Sequence, residues 1–154
     1  MSEYSATVRW SLDGGDFAGN RYTRAHEWSF DGGLTVPASA SPHIVPPPQS
    51  VAENVDPEEA FVASLSSCHM LFFLSLAVAE DIVVATYEDK ASGRLEKGAD
   101  NRMAMTKVVL RPRAEYGQDM SPGTDVVARL HHRAQELCFI ANSVRTKIVT
   151  EIIS

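Results

Sequence analysis

The chain has 154 residues, enough for one domain with its own core. Its composition is ordinary for a globular protein, with 44% hydrophobic and 22% charged residues and a net charge of −6. No basic run is present, so nucleic-acid binding lacks its usual electrostatic footprint. The opening MSEYSATVRW has no charged segment followed by an apolar one, and the expected location is therefore the cytoplasm. In a reducing compartment the two cysteines, Cys68 and Cys138, are expected free or redox-active rather than permanently bridged.

Tyr4 to Leu12 alternates apolar and polar residues, the pattern of a half-buried strand. Asp13-Gly14-Gly15 turns the chain. Tyr22 to Phe30 alternates again and places Tyr22, Arg24, His26, Trp28 and Phe30 on one face of a second strand. Asp31-Gly32-Gly33 leads into a short third strand near Leu34 to Val36, giving an antiparallel meander. Pro37 to Asp56 contains five prolines and reads as a long loop; loops of this length are commonly functional, and this one leads into the helix that carries Cys68.

Asp56-Pro57-Glu58-Glu59 is a helix start, with Asp56 as the cap, Pro57 in the first turn and Glu59 completing a capping box. The helix is expected to run to about Glu80. From Ala60 to Ala79 it bears no charge. That length meets the minimum for a membrane span, but the stretch holds four serines and a histidine, and acidic residues flank it. No membrane association is expected; the reading is a helix buried on nearly all sides, completed by a second copy of the chain. Ile82 to Glu96 and Met103 to Ala114 read as the strands of a hairpin. A second helix starts near Ser121 or Thr124, with Val127, Leu130, His131, Ala134, Leu137 and Cys138 on its apolar face. Val144 to Ile153 reads as a last strand. The order βββ-α-ββ-α-β makes a single α+β domain spanning 1–154.

A cysteine in mid-helix gains nothing from the helix dipole. As a nucleophile Cys68 needs a cation beside it, and Arg21, Arg24 and His69 are the candidates. The plain alternative is an inert core thiol. Cys68, His69, His131, His132 and Cys138 are metal-ligand types, but neither a C-x-x-C nor an H-E-x-x-H spacing occurs, so no metal and no cofactor is expected.

The segment from Asp56-Pro57-Glu58 to Cys68 resembles the corresponding segment of the OsmC/Ohr family, the osmotically inducible protein C and organic hydroperoxide resistance proteins. Cys138-Phe139-Ile140-Ala141-Asn142 resembles that family's second-cysteine motif, and the Phe30-Asp31-Gly32-Gly33-Leu34 turn is similar as well. Phe139-Ile140-Ala141 departs from the proline-containing Ohr version, which places the likeness on the OsmC-like side. The resemblance implies an OsmC-like fold, antiparallel sheets around long central helices in an intertwined homodimer. It further implies a thiol peroxidase for organic hydroperoxides. Cys68 would be the peroxidatic cysteine, Cys138 the resolving one, and Glu58 the holder of a catalytic arginine. Arg24 is the choice for that arginine and Arg21 the runner-up. An external dithiol, a lipoyl protein or a thioredoxin-like one, would be the reductant. Glu58 and Cys68 lie about 15 Å apart along a straight helix, so a partner subunit is expected to bring Glu58 and the arginine to the sulfur. The competing readings are a dimeric module binding a small apolar ligand and a structural dimer with idle thiols.

Overall fold

The computed structural model describes all 154 residues, in two compact units, Met1–Ala60 and Phe61–Ser154. In the first unit β1 (Ala6–Arg9), β2 (His26–Phe30) and β3 (Thr35–Ala38) form an antiparallel sheet in that order. β3 reaches Ala38, beyond the expected Leu34 to Val36, whereas β1 and β2 are shorter than their alternation suggested. Arg24 shows why: its backbone N–H donates to Gln49 O at 2.7 Å instead of to a neighbouring strand, so both Arg21 and Arg24 precede β2. Every residue of β1 is exposed, including the apolar positions expected to be covered.

The proline-rich segment is ordered by its own polar groups. Val51 N–H donates to Ser39 Oγ at 2.9 Å, Asn54 Nδ2 donates to Ala38 O at 3.1 Å, and Ser39, Ser41 and Ser50 are buried. It ends at Asp56, whose Oδ1 accepts the backbone N–H of Glu59 at 2.8 Å and opens α1 (Pro57–Ala79). The Glu59 side chain does not return the bond, so the capping box is half made.

In the second unit α1 continues without a break and packs on α2 (Thr124–Leu137). Phe73 and Ala77 of α1 meet Leu130 and Ala134 of α2, while Leu65 of α1 packs with Val108 and Leu110. Within the chain α1 is buried along one row only: Leu65, His69, Phe73 and Ala77, four residues apart. Leu71 and Val78 on other faces are 59% and 73% exposed, so one chain leaves those faces of the helix uncovered. By length and composition α1 is able to cross a membrane, yet its buried row makes it the core helix of a soluble fold.

The expected two-strand hairpin is four strands: β4 (Val84–Asp89), β5 (Ser92–Lys97), β6 (Met103–Leu110) and β7 (Pro112–Tyr116). β5 pairs with β6, β4 with β7, and β8 (Lys147–Thr150) joins β6 in parallel. The long hairpin bends at Lys90-Ala91 and at Arg111. Asp89 Oδ1 accepts the Arg111 N–H at 2.5 Å, and the Arg111 guanidinium donates to Lys90 O and Ser92 Oγ at 3.2 and 2.9 Å. The mixed α+β class stands, with βββ-α-ββββ-α-β as its order.

Candidate active site

Cys68 lies near the middle of α1, half-buried, and Cys138 caps the C-terminus of α2, fully buried; both are free thiols. The sequence placed Cys138 on the helix itself. Its backbone N–H still donates to Ala134 O at 2.9 Å, but its own conformation is extended, so the chain leaves the helix there. The turn that follows is built by the motif residues. Asn142 Nδ2 donates to Glu136 O at 3.1 Å and so satisfies one of the open carbonyls at the end of α2. Ser143 Oγ donates to Phe139 O at 2.7 Å. Ala141 N–H points at Cys138 Sγ, 3.4 Å away. Phe139, 71% exposed, meets Phe72 of α1 edge-on at 5.0 Å.

Burial first, and the neighbouring Cys68 thiol second, push the Cys138 thiol up to about 11; backbone N–H groups of Ala141 and Ile140 oppose this. Cys138 is therefore a protonated thiol at neutral pH, lying beside Cys68.

His69, proposed as a cation for Cys68, does not serve as one. Its ring is 1% exposed and its Nε2 meets His131 Nδ1 at 2.9 Å. Burial lowers its pKa, against the opposing charge of Asp89, so the imidazole is neutral at pH 7. It is a satisfied core histidine. His132 sits outside the core, 3.4 Å from Glu136.

Both arginine candidates are in the first unit. Arg21 is exposed and ion-paired with Asp16. Arg24 is half-buried and has no carboxylate partner in the chain. Its Nη1 donates to Tyr22 O at 2.7 Å, its Nη2 to Asn20 Oδ1 at 2.8 Å, and the guanidinium lies 3.6 Å from the centre of the Tyr22 ring. His26 supports the same turn, its Nδ1 2.7 Å from Arg24 O while Nε2 accepts from Trp28 Nε1 at 3.1 Å. Glu58, in the first turn of α1, makes no ion pair within the chain. The residue that sequence reading missed is Asp89. It holds the hairpin bend with one oxygen and accepts from Ser66 Oγ of α1 at 2.6 Å with the other. Nothing local to Asp89 signals that role.

The sequence profile of OsmC-like proteins matches residues 50–153, which include α1, both cysteines and β8. The chain belongs to the OsmC-like family. It is 54% identical to an OsmC-like protein of unknown function from Vibrio cholerae, with a TM-score of 0.97 over 99% of this chain and 100% of that one. The OsmC-like protein of Mycoplasma pneumoniae superposes with a TM-score of 0.74 at 13% identity, covering 99% of this chain and 96% of its own. The organic hydroperoxide resistance protein OhrB of Bacillus subtilis does so with 0.71 at 18% identity, covering 99% and 98%. At those identities the last two establish the fold alone. No curated protein matches the chain.

Proposed function

We propose that this OsmC-like protein is a cysteine-based thiol peroxidase that reduces organic hydroperoxides to alcohols. The observation that carries the reading is the placement of two free thiols side by side, with Cys138 held protonated. Of the two, half-buried Cys68 is the sulfur a reagent can reach and is assigned as the nucleophile.

The Cys68 thiolate attacks the terminal oxygen of ROOH. The S–O bond forms as the O–O bond breaks, the alkoxide leaves and takes up a proton as ROH, and Cys68 becomes a sulfenic acid. The Cys138 thiol then attacks that sulfur and expels water, giving a Cys68–Cys138 disulfide. An external dithiol, a lipoyl or thioredoxin-like protein, returns both thiols and leaves as its own disulfide. Arg24 is the cation assigned to the thiolate and to the developing alkoxide, and Glu58 the carboxylate that aims it. In support, Arg24 is free of any carboxylate whereas Arg21 is committed to Asp16. Aromatic surfaces beside the thiols, Phe72 and Phe139, suit an apolar alkyl group.

The working unit in this reading is a cytoplasmic homodimer, in which the partner subunit supplies the arginine and the glutamate. Uncovered apolar side chains at Val8 of β1 and at Leu71 and Val78 of α1 support a second copy. Sedimentation would find twice the 16.8 kDa chain mass; a monomer that still turns over peroxide removes the partner-supplied arginine.

The decisive experiment is substoichiometric titration of the reduced protein with cumene hydroperoxide, followed by thiol counting. Loss of two thiols per peroxide, as one intramolecular disulfide, is expected. Retention of both thiols sinks the peroxidase and leaves a binding module. Arg24→Ala is expected to slow the peroxide step by roughly 100-fold, with Arg21→Ala near wild type. The reverse ranking moves the role to Arg21.

A further inference from the structure

A cavity of about 360 Å³ lies against the first half of α2, with Ala114 and Tyr116 of β7 on one side, Thr124, Val127 and His131 of α2 on another, and Ile152 of the tail. Neither cysteine lines it. Its size is that of a small-molecule site, and its walls are mainly aliphatic with a few polar groups.

The feature that separates it from a packing gap is His131. This residue is 3% exposed, yet it forms part of the cavity wall. Its Nδ1 is engaged by His69 Nε2 at 2.9 Å, and no other hydrogen bond in the chain reaches the ring. The second nitrogen, Nε2, has no hydrogen-bond partner within the chain. A nearly buried imidazole in the wall of a cavity thus has one nitrogen without a partner in the chain. A buried polar atom of this kind is costly until something bonds it.

The ligand's charge follows from the lining. Burial lowers the His131 pKa to about 4 and raises that of Tyr116, so imidazole and phenol are both uncharged at pH 7. Thr124 adds a hydroxyl, and no lining side chain carries a charge. No cationic side chain there would neutralise a carboxylate, whose desolvation would oppose entry.

We infer that this cavity is a second binding site, separate from the thiols, for a small neutral molecule with an apolar body and one hydroxyl or carbonyl group that bonds His131 Nε2. The site stands whether or not the peroxidase reading does. Its volume suits roughly one or two rings.

Phenol and toluene are matched probes, equal in shape and different in the hydroxyl. In a ¹H–¹⁵N spectrum of the wild-type protein, phenol is expected to give saturable shifts at Ala114, Tyr116, Thr124, Val127 and Ile152. It should also move the Nε2 resonance of His131, which toluene leaves in place. Phenol should bind about three- to tenfold more tightly than toluene, the worth of one hydrogen bond. Val127→Phe, which fills the cavity, should remove both titrations while thiol loss with cumene hydroperoxide is unchanged. The inference is overturned by shifts that do not saturate or that centre elsewhere, by equal affinity for the two probes, or by a folded Val127→Phe protein that binds as before. Should Val127→Phe not fold, the wild-type map and the phenol-to-toluene ratio decide alone.

Discussion

The two helices of the second unit meet at two matched pairs of side chains, and the pairs have opposite characters. Cys68 and His69 are consecutive on α1, about 100° apart around its axis. Cys138 and His131 are their counterparts on α2 and just beyond it. The imidazoles are buried and hydrogen-bonded at 2.9 Å, and His131 stacks on Phe73 with ring centres 4.2 Å apart. The thiols lie at the margin of the same core, where α2 ends and Cys68 is only half-buried. Burial that holds both histidines neutral makes them a staple between helices. One step further round α1, partial exposure leaves a sulfur within reach of a reagent, with a protonated partner beside it. Side-chain chemistry alone does not separate the two pairs; access to solvent does.

The sharpest way to break this contrast is at the thiols. Cys68→Ser is expected to lower hydroperoxide consumption by roughly a thousandfold or more. Cys138→Ser should still lose its single thiol in one turnover, stopping at a sulfenic acid trapped by dimedone. If Cys138→Ser is inert and Cys68→Ser active, the assigned roles are exchanged.

At the imidazoles the effect falls on stability. His131→Phe leaves His69 Nε2 buried without a partner and is expected to cost about 1–3 kcal/mol in urea unfolding. His69→Leu added to it should cost less than the two single changes summed, because the orphan is then gone. Additive costs would show that the two rings do not act as a pair.

Acid should separate the pairs as well. Both histidines have folded-state pKa values below the ordinary 6.5, His131 at about 4. Between those limits the unfolded chain binds more protons than the folded one, so stability rises with pH there. Their contribution is complete above 6.5 and is lost as pH falls towards 4. The groups facing them are Asp89, which opposes the shift of His69, and Tyr87. Urea midpoints at pH 7, 5.5 and 4 should fall steeply in the wild type and less steeply in His131→Phe; parallel slopes would place the acid sensitivity elsewhere. The smallest effect is at the head of α1, where Asp56→Ala removes the cap and is expected to cost about 1 kcal/mol, with the peroxide titration unchanged.

Much of the second unit's framework was legible because it rests on local chemistry. Asp56-Pro57 starts α1 where the cap-and-proline pattern says, and the 3.6-residue spacing of Leu130, His131 and Ala134 gives the buried face of α2. Gly98 and Asn101, the latter with φ of 62°, close the turn between β5 and β6. The bend of that hairpin was not legible, since it depends on Asp89 bonding a backbone 22 residues away. Alternation through Arg24 extended β2 too far for the same reason: the deciding hydrogen bond goes to Gln49.

The order of residues alone determined where helices begin, which faces are apolar, and the two cysteine motifs that mark the family, because capping, periodicity and motif spacing are short-range properties. Only the folded chain decided that the thiols lie side by side, that His69 is paired and neutral, and that His131 stands in the wall of a cavity. Those outcomes depend on burial and on contacts between groups far apart in sequence, and no local pattern encodes how much water a side chain will lose.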